Sequence, residues 1–265
     1  GLVGSEMCIR DRDGTFLNDN KTYDKEKFAK IYQELERKNI KFTVASGNQY
    51  YQLVSFFKDF PDIIYVAENG AIVRNQKEIL KLSYFSDESS KVIYNFLLKQ
   101  PELEFLVSGV ENAYFPIRYS VRYYDVSTHY YYHLKKINDL ADTKDHIVKF
   151  AISCPDDKTD YYVNFLKENL SDYCDVTSSG HGDIDIIQPG IHKAHGLQEL
   201  GTLLNIPLSE MTAFGDGGND LEMIKEVGDG VVMANADPAL LQIANHTTTS
   251  NNDQGVLTYI TDNIL

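Results

Sequence analysis

The chain has 265 residues, of which 43% are hydrophobic and 24% charged, so it can bury one large core or two modest ones. Its formal net charge of −14 argues against a nucleic-acid partner or an anionic membrane surface, since both attract a basic face. Cys8, Cys154 and Cys174 are too few and too scattered for a disulfide framework, and they fit a reducing, cytoplasmic setting. The sequence contains no apolar run near the roughly 20 residues that span a bilayer.

The first third of the sequence alternates between short apolar runs and amphipathic segments. Residues 41–45 and 63–67 form the apolar runs, and helical spacing of apolar residues occurs between Asp24 and Asn39 and again after Asn48. Asp24 is expected to cap the first helix, and Asn39 is expected to end it in the left-handed conformation. With an extended segment before Asp11, the order β-α-β-α-β predicts a doubly wound parallel sheet.

From about residue 83 the pattern changes to a mixture of helices and strands in an order typical of an α+β unit with an antiparallel sheet. After about residue 186 the first pattern resumes. We therefore predict an α/β fold with a doubly wound parallel (Rossmann-like) sheet core. The core would comprise residues 1–82 and 186–265, and residues 83–185 would be an inserted α+β domain.

Two aspartates spaced by two follow the first extended segment, in the sequence Asp11-Arg12-Asp13-Gly14-Thr15. On an extended chain their side chains point to the same side, so they can share one cation. An Asp-Gly turn with solvated charges is the alternative interpretation.

Ser46 and Gly47 stand at the end of the second predicted strand, where a hydroxyl and backbone N–H groups can bind a phosphate; a plain turn is the alternative. Lys193 begins a helix, so its charge opposes the helix dipole. Nearby carboxylates or an anionic ligand would explain this position, and an exposed lysine is the alternative. Because a lysine at a helix start adds little stability, Lys193→Ala is expected to leave the fold intact.

The stretch Gly215-Asp216-Gly217-Gly218-Asn219-Asp220 lies between an apolar run and an amphipathic segment. This order predicts a strand, a tight loop and a helix, with the loop at the carboxyl edge of the sheet, where open α/β sheets bind their ligands. Its carboxylates are hard oxygen donors suited to Mg²⁺. A capped turn with Asp220 as the N-cap is the alternative.

Four patterns follow one another in the chain: Asp-x-Asp-Gly-Thr, Ser-Gly, the lysine at position 193, and Gly-Asp-x-x-Asn-Asp. Together, in this order, they resemble the haloacid dehalogenase superfamily of phosphatases. The segments 45–53 and 66–71 resemble its Cof-type sugar-phosphatase branch, in which the inserted α+β domain is a large cap. The resemblance implies Mg²⁺-dependent hydrolysis of small phosphate monoesters through an aspartyl-phosphate intermediate, with sugar phosphates as the expected substrates. The implied roles are Asp11 as nucleophile and Asp13 as general acid/base. Ser46, Gly47, Lys193 and Asn219 would bind the phosphate, and Asp220 would orient Lys193. The Mg²⁺ ligands would be Asp11, Asp216 and the backbone carbonyl of Asp13.

Three other functions stay open: a phosphomutase of the same superfamily, a phospho-accepting signalling module, and an inactive remnant. The last arises because Ser5, Glu6, Arg10 and Arg12 interrupt a strand that the resemblance implies to be apolar. We interpret residues 1–12 as wholly or partly foreign to the protein, in which case Asp11 would match the nucleophile by coincidence. The expected partner is a phosphorylated small molecule, with no nucleic acid and no membrane, and the oligomeric state is left open.

Overall fold

The computed structural model describes residues 14–265 and, for the backbone alone, residues 6–9. Asp11 and Asp13 lie outside the described residues, as does most of the segment interpreted as foreign. The chain forms two compact units. Unit 1 contains the chain up to Gly47 together with Phe57–Lys81 and His192–Leu265, and unit 2 contains Asn48–Phe56 and Leu82–Ile191. The extent predicted for the inserted domain, 83–185, stays a prediction.

The strands follow one another along the chain, and they are numbered in that order. They are β1 (Glu6–Ile9), β2 (Lys41–Ala45), β3 (Ile64–Ala67), β4 (Ile72–Arg74), β5 (Ile79–Leu82), β6 (Glu104–Gly109), β7 (Ala113–Pro116), β8 (Leu134–Ile137), β9 (Ile147–Ser153), β10 (Asp175–Gly180), β11 (Asp183–Ile187), β12 (Met211–Gly215), β13 (Asp229–Met233) and β14 (His246–Thr248).

The α-helices are numbered in the same way. They are α1 (Lys25–Arg37), α2 (Tyr50–Phe56), α3 (Asp87–Leu97), α4 (Val121–Ser127), α5 (Thr159–Leu170), α6 (Lys193–Leu204), α7 (Leu221–Glu226), α8 (Pro238–Leu241) and α9 (Gly255–Asn263). None of the described helices is both long enough and apolar enough to cross a membrane.

Among the described residues, an eight-stranded sheet runs in the order β14-β13-β12-β1-β2-β3-β4-β5. From β14 to β3 every neighbouring pair is parallel, and β4 then pairs antiparallel with β3. The order reverses at β1, since the chain goes from β1 to β2 on one side and reaches β12 on the other. Such a reversal is the topological switch point at which open α/β sheets bind ligands.

Helices cover both faces of this sheet, as β2 shows. Phe42 packs on Phe28 of α1, with ring centroids 5.0 Å apart. Ala45 is three positions further along the strand and therefore faces the opposite side. It belongs to the cluster of buried residues that includes Leu197 and Leu200 of α6. The predicted doubly wound α/β class is thus confirmed.

Helix α1 forms as its sequence predicts. The Asp24 side chain accepts a hydrogen bond from the Lys27 N–H at 2.9 Å, and Asn39 ends the helical segment with a φ of 56°. The residues that α1 buries are Phe28, Ile31, Tyr32 and Leu35. Their spacing places them on one stripe of the helix, which faces the sheet.

Unit 2 contains a six-stranded sheet among the described residues, in the order β10-β11-β9-β6-β7-β8. Its neighbouring pairs are antiparallel except the last, because β7 and β8 are parallel. The predicted antiparallel sheet is wrong at this one pair. A parallel pair needs a crossover connection, and α4, which lies between the two strands in the chain, supplies it.

The core of unit 2 lies between its sheet and two helices. Alternate strand residues such as Phe105, Phe150 and Ile186 join Ile93 of α3 and Leu166 of α5 in one buried cluster. The period of two along the strands and the helical spacing along α3 and α5 therefore place apolar residues on facing surfaces.

Phe28 should be among the residues on which the stability of unit 1 depends most. Its side chain is fully buried, with ring centroids 4.8 to 5.8 Å from those of Phe16, Tyr23, Tyr32, Phe42, Phe57 and Phe60. Phe28→Ala should lower the free energy of unfolding by about 3–5 kcal/mol, because it removes apolar burial and leaves a cavity. Urea unfolding measures this loss, and the exposed Lys30→Ala on the same helix should change it by no more than about 0.5 kcal/mol. Equal stability of the two variants would contradict this account of the core.

Candidate active site

The candidate site is built where neighbouring parallel strands of unit 1 end. β1 pairs with β12 on one side and with β2 on the other, and both pairs are parallel. Ser46 directly follows β2, and Asp216 directly follows β12. Parallel strands end at the same edge of a sheet, so residues that are far apart in the sequence meet there.

Ser46 and Gly47 are fixed by backbone contacts on the β3 side. The Ser46 N–H donates to the Val66 carbonyl at 2.9 Å, and the Ser46 carbonyl accepts from the Asn69 N–H at 3.0 Å. A Cβ atom on Gly47 would lie 2.8 Å from the Asn69 side-chain oxygen, so only a glycine fits without a shift. The Ser46 side chain is fully buried. The Ser46 backbone is therefore held in a defined place at the end of β2.

Lys193 forms a buried ion pair with Asp220. Its Nζ lies 2.6 Å from Asp220 Oδ1, and the side chains are only 1% and 0% exposed. The alternative of an exposed lysine at the helix start is wrong, since nearby carboxylate oxygen balances the charge. Two charges in a dry interior need such pairing together with further hydrogen bonds.

Asp220 also organises the loop after β12. Its Oδ2 accepts hydrogen bonds from the N–H groups of Asp216 and Gly217, both at 3.1 Å. Asp220 occupies the N-cap position of α7, but its side chain makes no capping hydrogen bond to that helix. One buried carboxylate therefore links the first residue of α6 to the loop that carries Asp216.

Asp216 lies directly against Gly14. A Cβ atom on Gly14 would overlap the Asp216 carboxylate, and Gly14 has a φ of 127°, which favours glycine. The Thr15 hydroxyl donates to Asp216 Oδ1 at 2.6 Å, and the Asn235 side-chain amide donates to the Gly14 carbonyl at 2.8 Å. The loop after β12 thus adjoins the residue that follows Asp13.

The fit of this region to Mg²⁺ depends on Asp216. In the part of the chain that the structure describes, no group of three or more His, Cys, Asp or Glu side chains could hold a metal ion. The other two predicted ligands, Asp11 and Asp13, lie outside that part. Asp216 is a hard oxygen donor placed against the residue after Asp13, so the residue types and their order in the chain fit Mg²⁺.

Asn219 presents a buried amide oxygen. The residue is 8% exposed, and its Oδ1 has no hydrogen-bond partner among the described residues. An unsatisfied buried polar atom costs free energy unless another group completes it. Its place between Asp216 and Asp220 makes it a candidate for contact with a ligand or with a metal-bound group.

A sequence profile of haloacid dehalogenase-like hydrolases matches residues 8–260. The chain belongs to this family. The resemblance drawn from the motifs is therefore confirmed, and the family's fold agrees with the sheet order described above.

Named relatives of this haloacid dehalogenase-like hydrolase include two phosphatases. The chain is 38% identical over 256 residues to the 5-amino-6-(5-phospho-D-ribitylamino)uracil phosphatase YbjI of Escherichia coli, covering 96% of this chain and 94% of that protein. A phosphatase of the same name, YitU of Bacillus subtilis, is 44% identical over 77 residues, or 29% of this chain and 28% of that protein. The crystal structure of SMU.1108c from Streptococcus mutans has a TM-score of 0.91 and 30% identity, covering 98% of each chain.

Sequence reasoning gave no role in the site to Thr15, Asn69 or Asn235. Thr15 and Asn69 contact predicted site residues, and Asn235 contacts Gly14, which lies against Asp216. Thr15 belongs to the Asp-x-Asp-Gly-Thr pattern, so a site role for its hydroxyl could have been predicted from the sequence. Asn69 lies in the segment that resembles the Cof-type branch, which was a weaker signal. Asn235 has no local signal, since only the tertiary structure brings it to Gly14.

The burial of Lys193 reverses the expectation that Lys193→Ala leaves the fold intact. The substitution should lower the free energy of unfolding by about 3–5 kcal/mol, because it leaves the Asp220 carboxylate buried without its counter-charge. Chemical unfolding measures the loss.

Lys81 provides the matched control in the same unit. Its Nζ lies 3.4 Å from Glu199 Oε2, but the side chains are 45% and 36% exposed. Lys81→Ala should therefore cost no more than about 1 kcal/mol. Equal losses for the two lysine variants would show that burial of the Lys193 pair does not matter.

Proposed function

We propose that this protein is a phosphatase that hydrolyses small phosphate monoesters with Mg²⁺ and with Asp11 as the nucleophile. The observation that carries the proposal is that Ser46 and Asp216 directly follow parallel strands of one sheet and that the buried Lys193–Asp220 pair holds the loop with Asp216. The segment with Asp11 and Asp13 follows β1, which is the strand between β2 and β12. The named phosphatase activity of the relatives supports the same assignment.

Each residue type suits its proposed role. A phosphate monoester dianion repels an attacking carboxylate, and Lys193 brings a positive charge that offsets this repulsion. Asp11, Asp216 and the backbone carbonyl of Asp13 would hold Mg²⁺, which would supply further positive charge at the phosphoryl group. The Ser46 hydroxyl, the Gly47 N–H and the Asn219 amide donate hydrogen bonds to phosphoryl oxygens in this proposal. Asp220 orients Lys193, from which it lies 2.6 Å away.

The two aspartates divide the chemistry between them. Asp11 attacks phosphorus and the bond to the leaving oxygen breaks, which gives an aspartyl-phosphate. Asp13 donates a proton to the leaving alcohol and later removes one from the water that hydrolyses the intermediate. This cycle returns both carboxylates to their starting state and releases inorganic phosphate.

The relatives support a narrower substrate proposal. Two of them are named as phosphatases of 5-amino-6-(5-phospho-D-ribitylamino)uracil, and YbjI aligns over almost its full length. We propose this compound, a phosphorylated sugar alcohol joined to an aminouracil, as the substrate of this chain. Its phosphorylated ribityl chain is chemically similar to the sugar phosphates that the motif resemblance implies.

Unit 2 has a separate role in this proposal. The described residues proposed for phosphoryl transfer all belong to unit 1, namely Ser46, Gly47, Lys193, Asp216, Asn219 and Asp220. We therefore propose that unit 2 influences which leaving group is accepted and contributes no residue to phosphoryl transfer.

Phosphate release should require Mg²⁺ and should disappear in two variants. Asp11→Asn removes the nucleophile, and Asp216→Asn removes a metal ligand's charge, so each should lower turnover of p-nitrophenyl phosphate by at least about a hundredfold. Release of inorganic phosphate with and without EDTA measures this. Asp253→Asn, an exposed change in a turn, is the control and should keep full turnover.

Several outcomes would contradict this function. Undiminished turnover by Asp11→Asn would exclude the proposed nucleophile. A stable phosphoprotein without steady phosphate release would indicate a signalling module, and transfer of phosphate to a second substrate hydroxyl would indicate a mutase. Absence of all turnover in the wild type would favour an inactive remnant.

Substrate choice should show in kcat/KM. The value for 5-amino-6-(5-phospho-D-ribitylamino)uracil should exceed that for p-nitrophenyl phosphate by at least about a hundredfold, because binding of polar leaving-group atoms contributes to transition-state binding. D-ribitol 5-phosphate separates recognition of the ribityl chain from recognition of the ring. Similar kcat/KM values for the three compounds would contradict the substrate proposal but not the phosphatase activity.

A further inference from the structure

The turn Glu68-Asn69-Gly70 at the end of β3 has an unusual backbone. Its three consecutive residues have positive φ values of 52°, 57° and 101°. Glycine adopts this region freely and asparagine tolerates it, but a glutamate there is an outlier. Glu68 and Asn69 are also buried, at 1% and 2% exposure. Strain of this kind persists where the surrounding contacts fix it, and it is concentrated at functional sites.

One side of this turn contacts the proposed phosphate-binding residues that follow β2. The Asn69 N–H donates to the Ser46 carbonyl at 3.0 Å. The Asn69 side-chain oxygen lies so close to Gly47 that a Cβ atom there would be 2.8 Å from it. The Asn69 N–H therefore holds the Ser46 carbonyl, and the Asn69 side chain leaves room only for a glycine at position 47.

The other side of the turn contacts the start of α6. A Cβ atom on Gly70 would overlap the carbonyl oxygen of His192, the residue before Lys193. A Cβ atom on Gly196 would lie 2.9 Å from the Gly70 Cα, so the helix and the turn are in direct backbone contact. This closeness requires glycine at both positions, and it places the first turn of α6 against the strained segment.

We propose that the Glu68–Gly70 turn sets the spacing between Ser46 and Lys193, and that Asn69 is a positioning residue for phosphate binding. The inference rests on the proposed function, because it takes Ser46 and Lys193 as phosphate ligands. Asn69 acts through Ser46 and Gly47 and needs no contact with the substrate. The left-handed backbone is what lets one short turn contact both the segment after β2 and the start of α6.

Asn39 offers a matched control for the backbone effect. It is an asparagine of unit 1 with a φ of 56°, almost the same as the 57° of Asn69. It is exposed and follows α1, so it contacts none of the proposed site residues in the described structure. An alanine at either position meets the same left-handed backbone, and only the change at position 69 also removes the contact with Gly47.

The test compares Asn69→Ala, Asn69→Gly and Asn39→Ala with the wild type. Calorimetric titration with inorganic phosphate in the presence of Mg²⁺ gives Kd, and p-nitrophenyl phosphate gives kcat/KM. Asn69→Ala should raise Kd by about tenfold or more, because a small displacement of a positioned group is costly, and Asn39→Ala should leave it within about twofold. Asn69→Gly tolerates the left-handed backbone, so it should fold well and still bind phosphate more weakly than the wild type.

The outcomes separate this inference from the proposed function. Phosphate Kd values that stay at the wild-type level in both Asn69 variants would overturn it, even if the thermal midpoint falls. Equal rises in Asn69→Ala and Asn39→Ala would also overturn it, because the effect would then be one of general stability. If Kd rises as expected but the wild type hydrolyses no phosphate monoester, the positioning role stands and the phosphatase proposal fails.

Discussion

The buried ion pair between Lys193 and Asp220 is the constraint on which the candidate site depends. An ammonium and a carboxylate that are almost fully buried lose their hydration, and only close pairing with further hydrogen bonds offsets that loss. Asp220 meets this requirement with bonds to Lys193 and to two backbone N–H groups of the preceding loop. The start of α6 and the loop after β12 are therefore fixed together, although they are separated in the chain.

The parallel sheet explains how distant segments of the candidate site converge. Strands β2 and β12 flank β1 and end at the same edge of the sheet, so a short loop after each of the two suffices to place a candidate side chain there. The strands themselves need only apolar residues to be buried between helices on both faces. Stability and chemistry are thus assigned to different residues of the same short segments, which makes the site compatible with a well-packed core.

Close backbone approach is the second requirement of the site. Gly14, Gly47 and Gly70 each lie where a Cβ atom would press on a neighbouring oxygen, and each of those oxygens belongs to a residue of the site or beside it. The strained Glu68–Gly70 turn belongs to the same pattern. Side chains can be exchanged while a fold persists, but such backbone contacts cannot be made by larger residues without displacement.

Much of this organisation could be predicted from the sequence, and the exceptions have a common cause. Helix α1 followed from an N-cap aspartate, an apolar stripe and a terminal asparagine, all of which act within a few residues of one another. The α/β class followed from the alternation of elements, and the family from the order of four motifs. Local sequence determines these features because caps, turns and helical or strand periodicity depend on neighbours in the chain.

The tertiary structure alone decided the rest. It buried Lys193, directed the Asp220 carboxylate to Lys193 and to the preceding loop, placed Thr15 on Asp216, and made β7 and β8 parallel. The sequence determined which residue types stand at the strand ends. Their partners, their burial and the role inferred for Asn69 depend on contacts between segments far apart in the chain, and such contacts exist only once the sheet has brought those segments together.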